Sequence, residues 1–167
     1  MLLPEKASFR TDPFDDGRFE RWQDLPTEAP VWRPISTTAG WDSQGLQDEH
    51  GHPYKGVAWY QFDVPVPAGA KGKNAFLHGM AVVNEAWVWV NGKYVGHKPY
   101  KMPWSRPQAL DMDVSKLLVA GRANRITFRV LCNFDVWGAN GIYERIFLYD
   151  KNPVAETSTE KKPERSE

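Results

Sequence analysis

Apolar and polar residues alternate with a period of two along most of the chain, and turn-forming residues interrupt the pattern at short intervals. In residues 57–64, aromatic and aliphatic side chains occupy alternate positions, and Pro65 and Pro67 end the run. This alternation is typical of a strand with one buried face. By the same criterion, further strands are predicted at residues 74–78, 86–90, 93–96, 125–131 and 142–149.

Asn91-Gly92 lies between two of the predicted strands and predicts a tight hairpin, because a type I′ turn needs positive φ at both central positions. Helical signals are short: residues 113–118 resemble an Asp-capped turn, and residues 14–22 are a second short candidate. Many short strands at regular spacing indicate an all-β, antiparallel β-sandwich.

The chain divides into three predicted parts. Residues 1–8 are expected to be an N-terminal extension, residues 9–150 the sandwich domain, and residues 151–167 a disordered tail or linker. The last stretch has almost no apolar residues with which to offset the entropy of ordering. The first residues, Met1 to Lys6, are too few and too soon charged for a signal peptide, so an extracellular or periplasmic location is expected only if a parent chain is secreted.

Composition excludes several classes of function. With 21 basic and 21 acidic residues the net charge is zero, which argues against a general nucleic-acid binder. No apolar run reaches the about 18 residues of a membrane span, and 167 residues are too few for a (β/α)₈ barrel of about 250. The sequence shows no nucleophile elbow, phosphate-binding glycine loop or Cys-x-x-Cys motif, so it predicts no enzyme, metal site or cofactor.

Aromatic residues are the unusual component, with 8 Trp, 8 Phe and 6 Tyr. Trp87 and Trp89 alternate with Val88 and Val90 on one predicted strand, so the tryptophans face outward if the valines face the core. Exposed aromatic side chains of this size need a partner, which here is either a covering segment of the chain or another molecule.

Two loops combine aromatic and polar residues in a way that suits a sugar. Residues 97–107 contain Trp104 and Arg106 among three prolines, and residues 133–145 contain Asp135, Trp137 and Asn140 among glycines. Aromatic faces stack on sugar C–H groups, while carboxylate, amide and guanidinium groups bond to hydroxyls. The alternatives are that Trp104 closes one end of the sandwich and that Asp135 and Asn140 build a turn.

Several short motifs follow one another along the chain, at residues 9–13, 41–45, 56–65, 86–96, 113–118, 121, 124–126 and 141–143. Together they resemble the N-terminal sugar-binding domain of family 2 glycoside hydrolases, the relatives of β-galactosidase, β-glucuronidase and β-mannosidase. The resemblance implies a jelly-roll sandwich of the galactose-binding-like type, in which Asp135 contacts a sugar hydroxyl. It also implies that the catalytic glutamates belong to a separate barrel.

The sequence therefore predicts a non-catalytic carbohydrate-binding domain, accessory to or derived from a glycoside hydrolase, with a sugar and a catalytic domain as partners. Trp137, Trp104 and Trp41 are expected to stack on the sugar. Asp135, Asn140 and Arg106 are expected to bond its hydroxyls or an acidic group. A structural calcium ion is compatible with the fold type, but no loop predicts its site. The alternative is a docking module that uses Trp87 and Trp89 and binds no sugar.

Overall fold

The computed structural model of the protein describes residues 1–71, 74–134 and 137–151. These residues form two antiparallel sheets, which confirms the predicted all-β sandwich. The strands are β1 Lys6–Asp12, β2 Arg33–Ser36, β3 Gly56–Val66, β4 Ala75–Gly79, β5 Glu85–Val90, β6 Lys93–Lys98, β7 Leu110–Asp113, β8 Arg122–Cys132 and β9 Ile146–Asp150. One sheet has the order β2-β1-β3-β8-β5-β6 and the other β7-β4-β9. Residues 152–167 of the predicted tail lie outside the described residues.

Strands β3 and β8 form the centre of the larger sheet and pair along their whole length, from Gly56 opposite Cys132 to Val66 opposite Arg122. Their inward side chains meet in the core, where Phe62 and Phe128 pack edge to face with ring centroids 5.9 Å apart. The alternation in the sequence therefore correctly identified the inner face of β3.

The predicted hairpin is present between β5 and β6. Asn91 and Gly92 have φ values of 52° and 75°, as a type I′ turn requires. The Asn91 side-chain amide also donates to the Leu117 carbonyl at 3.0 Å and to the side-chain oxygen of Asn124 at 2.9 Å, which fixes the turn to other parts of the same chain.

A second, smaller core lies on the outer face of the large sheet, under residues 13–32. Trp22, in a 3₁₀ turn, and Trp59 are both buried, and Trp89 stacks on Trp59 with ring centroids 5.4 Å apart. Trp87 lies between the Arg129 guanidinium at 4.1 Å and the His97 ring at 4.8 Å. The two outward tryptophans are thus partly covered by this chain itself.

The first residues take part in the sandwich. Leu3 is buried and its N–H donates to the Ile146 carbonyl at 2.8 Å, and Met1 and Leu148 exchange two backbone bonds at 2.6 and 2.8 Å. Residues 1–3 therefore extend the small sheet beside β9. The predicted strand at residues 142–149 is too long, because the Ile142 N–H donates to the Tyr60 hydroxyl and β9 begins only at Ile146.

Candidate functional site

The loops that hold most of the predicted site residues converge at one end of the sandwich. At this end β3 begins opposite the last residue of β8, and β5 begins opposite Leu131, one residue before β8 ends. In the small sheet, Gly79 at the end of β4 pairs with both Leu110 and Ile146, which begin β7 and β9. The connections 80–84, 99–109 and 133–145 therefore emerge at this end. The connection 37–55 leaves β2 beside Lys6, away from this end, and reaches it where β3 begins.

The segment 99–108, called here the aromatic loop, presents Trp104 to solvent. The Trp104 side chain is 68% exposed, and its ring packs edge to face on Phe134 with centroids 5.6 Å apart. Tyr100, 40% exposed, also packs on Phe134, with ring centroids 6.2 Å apart. The three rings form a partly exposed aromatic surface that joins the two loops singled out by the sequence.

Trp137 belongs to the second loop and is 60% exposed. Its loop is held in place by the next residue, because the Gly138 N–H donates to both carboxylate oxygens of Asp42 at 2.9 and 3.1 Å. Asp135, the predicted hydroxyl acceptor, lies outside the described residues. The structure thus presents Trp104 and Trp137 as accessible aromatic rings on neighbouring loops.

Trp41 is not a stacking residue, which corrects the expectation from the sequence. Its side chain is fully buried, its indole N–H donates to the Tyr60 hydroxyl, and its ring packs on Phe9 at 6.2 Å. The polar residues after Trp41 form a 3₁₀ turn at the surface while the indole points into the core. Gly141 makes room for it, since a Cβ there would lie 2.2 Å from the indole nitrogen.

Asn140 is also buried and is not a surface contact for sugar. Its side-chain oxygen accepts from the backbone N–H of Trp41 at 2.6 Å, and this bond joins two loops that are 99 residues apart in sequence. Its amide nitrogen has no hydrogen-bond partner within the described ranges. Asn140 thus has a structural role, in which it joins two distant loops rather than building the local turn of the alternative interpretation.

Arg106 lies in the aromatic loop and is exposed, as the prediction requires. One of its terminal nitrogens donates to the Pro103 carbonyl, which keeps the guanidinium against the loop.

Two clefts, of about 490 and 530 Å³, lie away from the aromatic loop, the first at the Asn91-Gly92 turn and the second beside Met1 and β9. Neither is lined by the exposed aromatic residues.

A buried polar cluster that the sequence did not indicate lies at the base of the aromatic loop, formed by Asn84, Lys98 and the last residue of the loop, Gln108. The Lys98 ammonium donates to the Asn84 carbonyl at 2.6 Å and to the Gln108 side-chain oxygen at 3.1 Å. Burial lowers the pKa of Lys98 to about 8. The sequence did not indicate this position, because Lys98 pairs with the inward-facing Ala86 only after a register shift between Val88 and Trp89. A regular hairpin closed by Asn91-Gly92 would place His97 opposite Ala86.

Among residues 1–71, 74–134 and 137–151, no group of three or more His, Cys, Asp or Glu side chains could hold a metal ion. Over the same ranges, no helix has both the length and the apolar character needed to cross a membrane.

The chain is similar to parts of known β-glucuronidases, although no family model matches it. It is 29% identical to the β-glucuronidase of Paenibacillus borealis over 123 residues, which are 73% of this chain and 19% of the relative. It is 24% identical to the β-glucuronidase of Formosa agariphila over 154 residues, covering 79% of this chain and 15% of that one. This chain therefore spans less than a fifth of the length of these two relatives.

The fold is also that of part of a larger solved enzyme. The β-glucuronidase from Ruminococcus gnavus in complex with D-glucuronic acid superposes with a TM-score of 0.74 and 16% sequence identity, over 90% of this chain and 29% of that one. The apo structure of the same enzyme gives the same TM-score. These findings agree with the resemblance in the sequence motifs, and the chain fits an N-terminal domain of glycoside hydrolase family 2.

Proposed function

We propose that this chain is a non-catalytic carbohydrate-binding domain of a glycoside hydrolase, which binds a sugar through the loops at one end of its sandwich. The observation that supports the proposal is the presence of two exposed tryptophans, Trp104 and Trp137, on neighbouring loops. A surface indole loses water readily and offers a flat face to the C–H groups of a sugar ring.

Polar groups beside these rings supply the hydroxyl contacts in the proposed site. Arg106 is exposed within the aromatic loop, and Asp135 is close to Trp137 in sequence. The role of Asp135 as an acceptor of sugar hydroxyls comes from the family resemblance. Since the Ruminococcus gnavus relative was solved with D-glucuronic acid, an acidic sugar that could pair with Arg106 is the first ligand to test.

The test is a titration of the ¹⁵N-labelled protein with D-glucuronic acid, D-galactose and D-mannose, followed by NMR. We expect weak, saturable shifts in residues 99–108 and 133–141, because an open site of few contacts binds weakly. Trp104→Ala and Trp137→Ala should each weaken binding at least about fivefold, since a stacked aromatic ring contributes about 1 kcal/mol.

Phe14→Ala is the matched control, because Phe14 is 83% exposed but lies on the segment that covers the large sheet. Its removal should leave the affinity unchanged. The proposal is wrong if no sugar shifts the loop resonances, or if Phe14→Ala weakens binding as much as Trp104→Ala does.

A second candidate is a docking role, in which the same exposed rings pack against another domain. It is favoured by the exposure of Tyr100 beside Trp104, and by the small share of the relatives' length that this chain covers. Trp87 and Trp89 are weaker candidates for such an interface because the chain already covers them in part. Self-association or dye binding that Trp104→Lys abolishes, without any sugar binding, would favour docking.

A further inference from the structure

Three polar side chains are almost completely removed from solvent at the base of the aromatic loop. Asn84 is 0% exposed, Gln108 1% and Lys98 7%. Burying an amide or an ammonium group is costly unless its hydrogen bonds are made inside the protein. The partners of these groups therefore show what the cluster holds in place.

Gln108 holds the aromatic loop on both sides of Trp104. Its amide nitrogen donates to the Met102 carbonyl at 2.6 Å and to the Ser105 carbonyl at 2.9 Å. Its oxygen accepts from the Lys98 ammonium at 3.1 Å. One side chain thus fixes the backbone before and after the exposed indole.

Asn84 joins this loop to the second one. Its amide nitrogen donates to the Lys101 carbonyl at 2.9 Å, and its carbonyl accepts from the Lys101 N–H at 3.1 Å. Its side-chain oxygen accepts from the N–H of Asn133, next to Phe134, at 3.3 Å. The Lys98 ammonium reaches the same Asn84 carbonyl at 2.6 Å and so completes the connection.

We propose that Asn84, Lys98 and Gln108 are positioning residues, which hold Trp104 of the aromatic loop and the neighbouring Phe134 in the binding arrangement without touching the ligand. This inference rests on the proposed function. A loop that is already ordered loses less conformational entropy when a ligand binds, so the cluster strengthens binding by preorganisation.

Gln108→Glu tests the role of Gln108 with little change in shape. Glutamate keeps the acceptor for Lys98 but cannot donate to the Met102 and Ser105 carbonyls. We expect amide hydrogen exchange in residues 101–106 to accelerate at least about tenfold, which corresponds to the loss of about 1.4 kcal/mol of local stability. The ¹⁹F resonance of 5-fluorotryptophan at position 104 should shift or broaden, and sugar affinity should fall at least about fivefold. Asn84→Asp, which keeps the acceptor for Asn133 but loses the donor to Lys101, is the second variant.

Gln61→Glu is the matched control, because Gln61 is equally buried and its amide donates to the Trp22 carbonyl at 2.8 Å. It should loosen the segment 13–32 and leave the aromatic loop unchanged. The inference is overturned if both loop variants show wild-type exchange in residues 101–106, or if Gln61→Glu opens that loop equally. If the wild type binds no sugar, the proposed function fails, while the exchange data still confirm or refute the control of the loop by this cluster.

Discussion

Lys98 should make the stability of the protein depend on pH in the alkaline range. Its side chain is buried and bonded to two neutral oxygens, and this burial lowers its pKa from 10.5 to about 8. In the unfolded chain the amine keeps a pKa of about 10.4. Between these values the folded protein has released a proton that the unfolded chain still binds, so the contribution of Lys98 to stability increases with pH.

The size of the effect follows from the two pKa values. Their difference sets an upper limit of about 3 kcal/mol, approached only near pH 10.5. Between pH 7 and pH 9 the expected gain is about 1.3 kcal/mol, because the folded amine has by then lost most of its proton. Burial also raises the pKa of Cys132 and raises that of Tyr54 to about 12. Both groups oppose the gain from Lys98, Cys132 already between pH 7 and pH 9 and Tyr54 only at higher pH.

Lys98→Met isolates the contribution, because the variant keeps the opposing groups and lacks the amine. Urea unfolding at pH 7, 8 and 9, followed by tryptophan fluorescence, should give the wild type a stability that rises relative to Lys98→Met by about 1.3 kcal/mol over this range. Lys93→Met is the control, because Lys93 is an exposed lysine at the start of the same strand. Equal pH dependence in the wild type and in Lys98→Met would refute the reasoning.

Three further predictions concern the packing around the site. Gly141→Ala should lower the free energy of unfolding, measured in urea, by about 3 kcal/mol or more, because φ is +73° and the new methyl group would meet Trp41. Gly138→Ala, at φ +69° with open space around it, should lower it by only about 1 kcal/mol. In the same assay, Trp41→Ala should lower the free energy of unfolding by about 3–5 kcal/mol and Trp104→Ala by less than about 1 kcal/mol. Similar losses in the two variants would contradict the assignment of Trp41 to the core and Trp104 to the surface. Asp12→Ala should accelerate proteolysis within residues 13–32, because the carboxylate accepts two backbone N–H bonds and one indole bond that hold this segment.

The sequence predicted the parts of the fold in which the information is local. The alternation in β3 and the Asn91-Gly92 turn each depend on a few neighbouring residues, and both are present as expected. Strands β1, β2 and β7 were not predicted. Strand β1 has only two apolar residues in seven, and the four residues of β2 and of β7 are too few and too polar to show a period. Strand β1 becomes a strand by pairing with β3, β2 by pairing with β1, and β7 by pairing with β4.

The candidate site was predictable only in outline, because burial of a loop residue is decided by distant parts of the chain. Trp41 has polar neighbours in sequence, yet its surroundings are Phe9, Tyr60 and Gly141. Trp104, whose sequence neighbourhood is also polar, remains exposed. A single sequence presents the two tryptophans alike, and the pairing of loops across about a hundred residues separates them.

The pairing of residues 1–3 with β9 also protects the protein against aggregation. Strand β9 is at the edge of the small sheet, and an uncovered edge offers backbone groups to which another chain can add a strand. Residues 1–3 occupy part of that edge, with Leu3 bonded to Ile146 and Met1 bonded to Leu148. Removal of the first eight residues, which the sequence alone predicts to be an N-terminal extension, would uncover the β9 edge and take away the beginning of β1. The shortened protein should therefore aggregate more readily than the full chain.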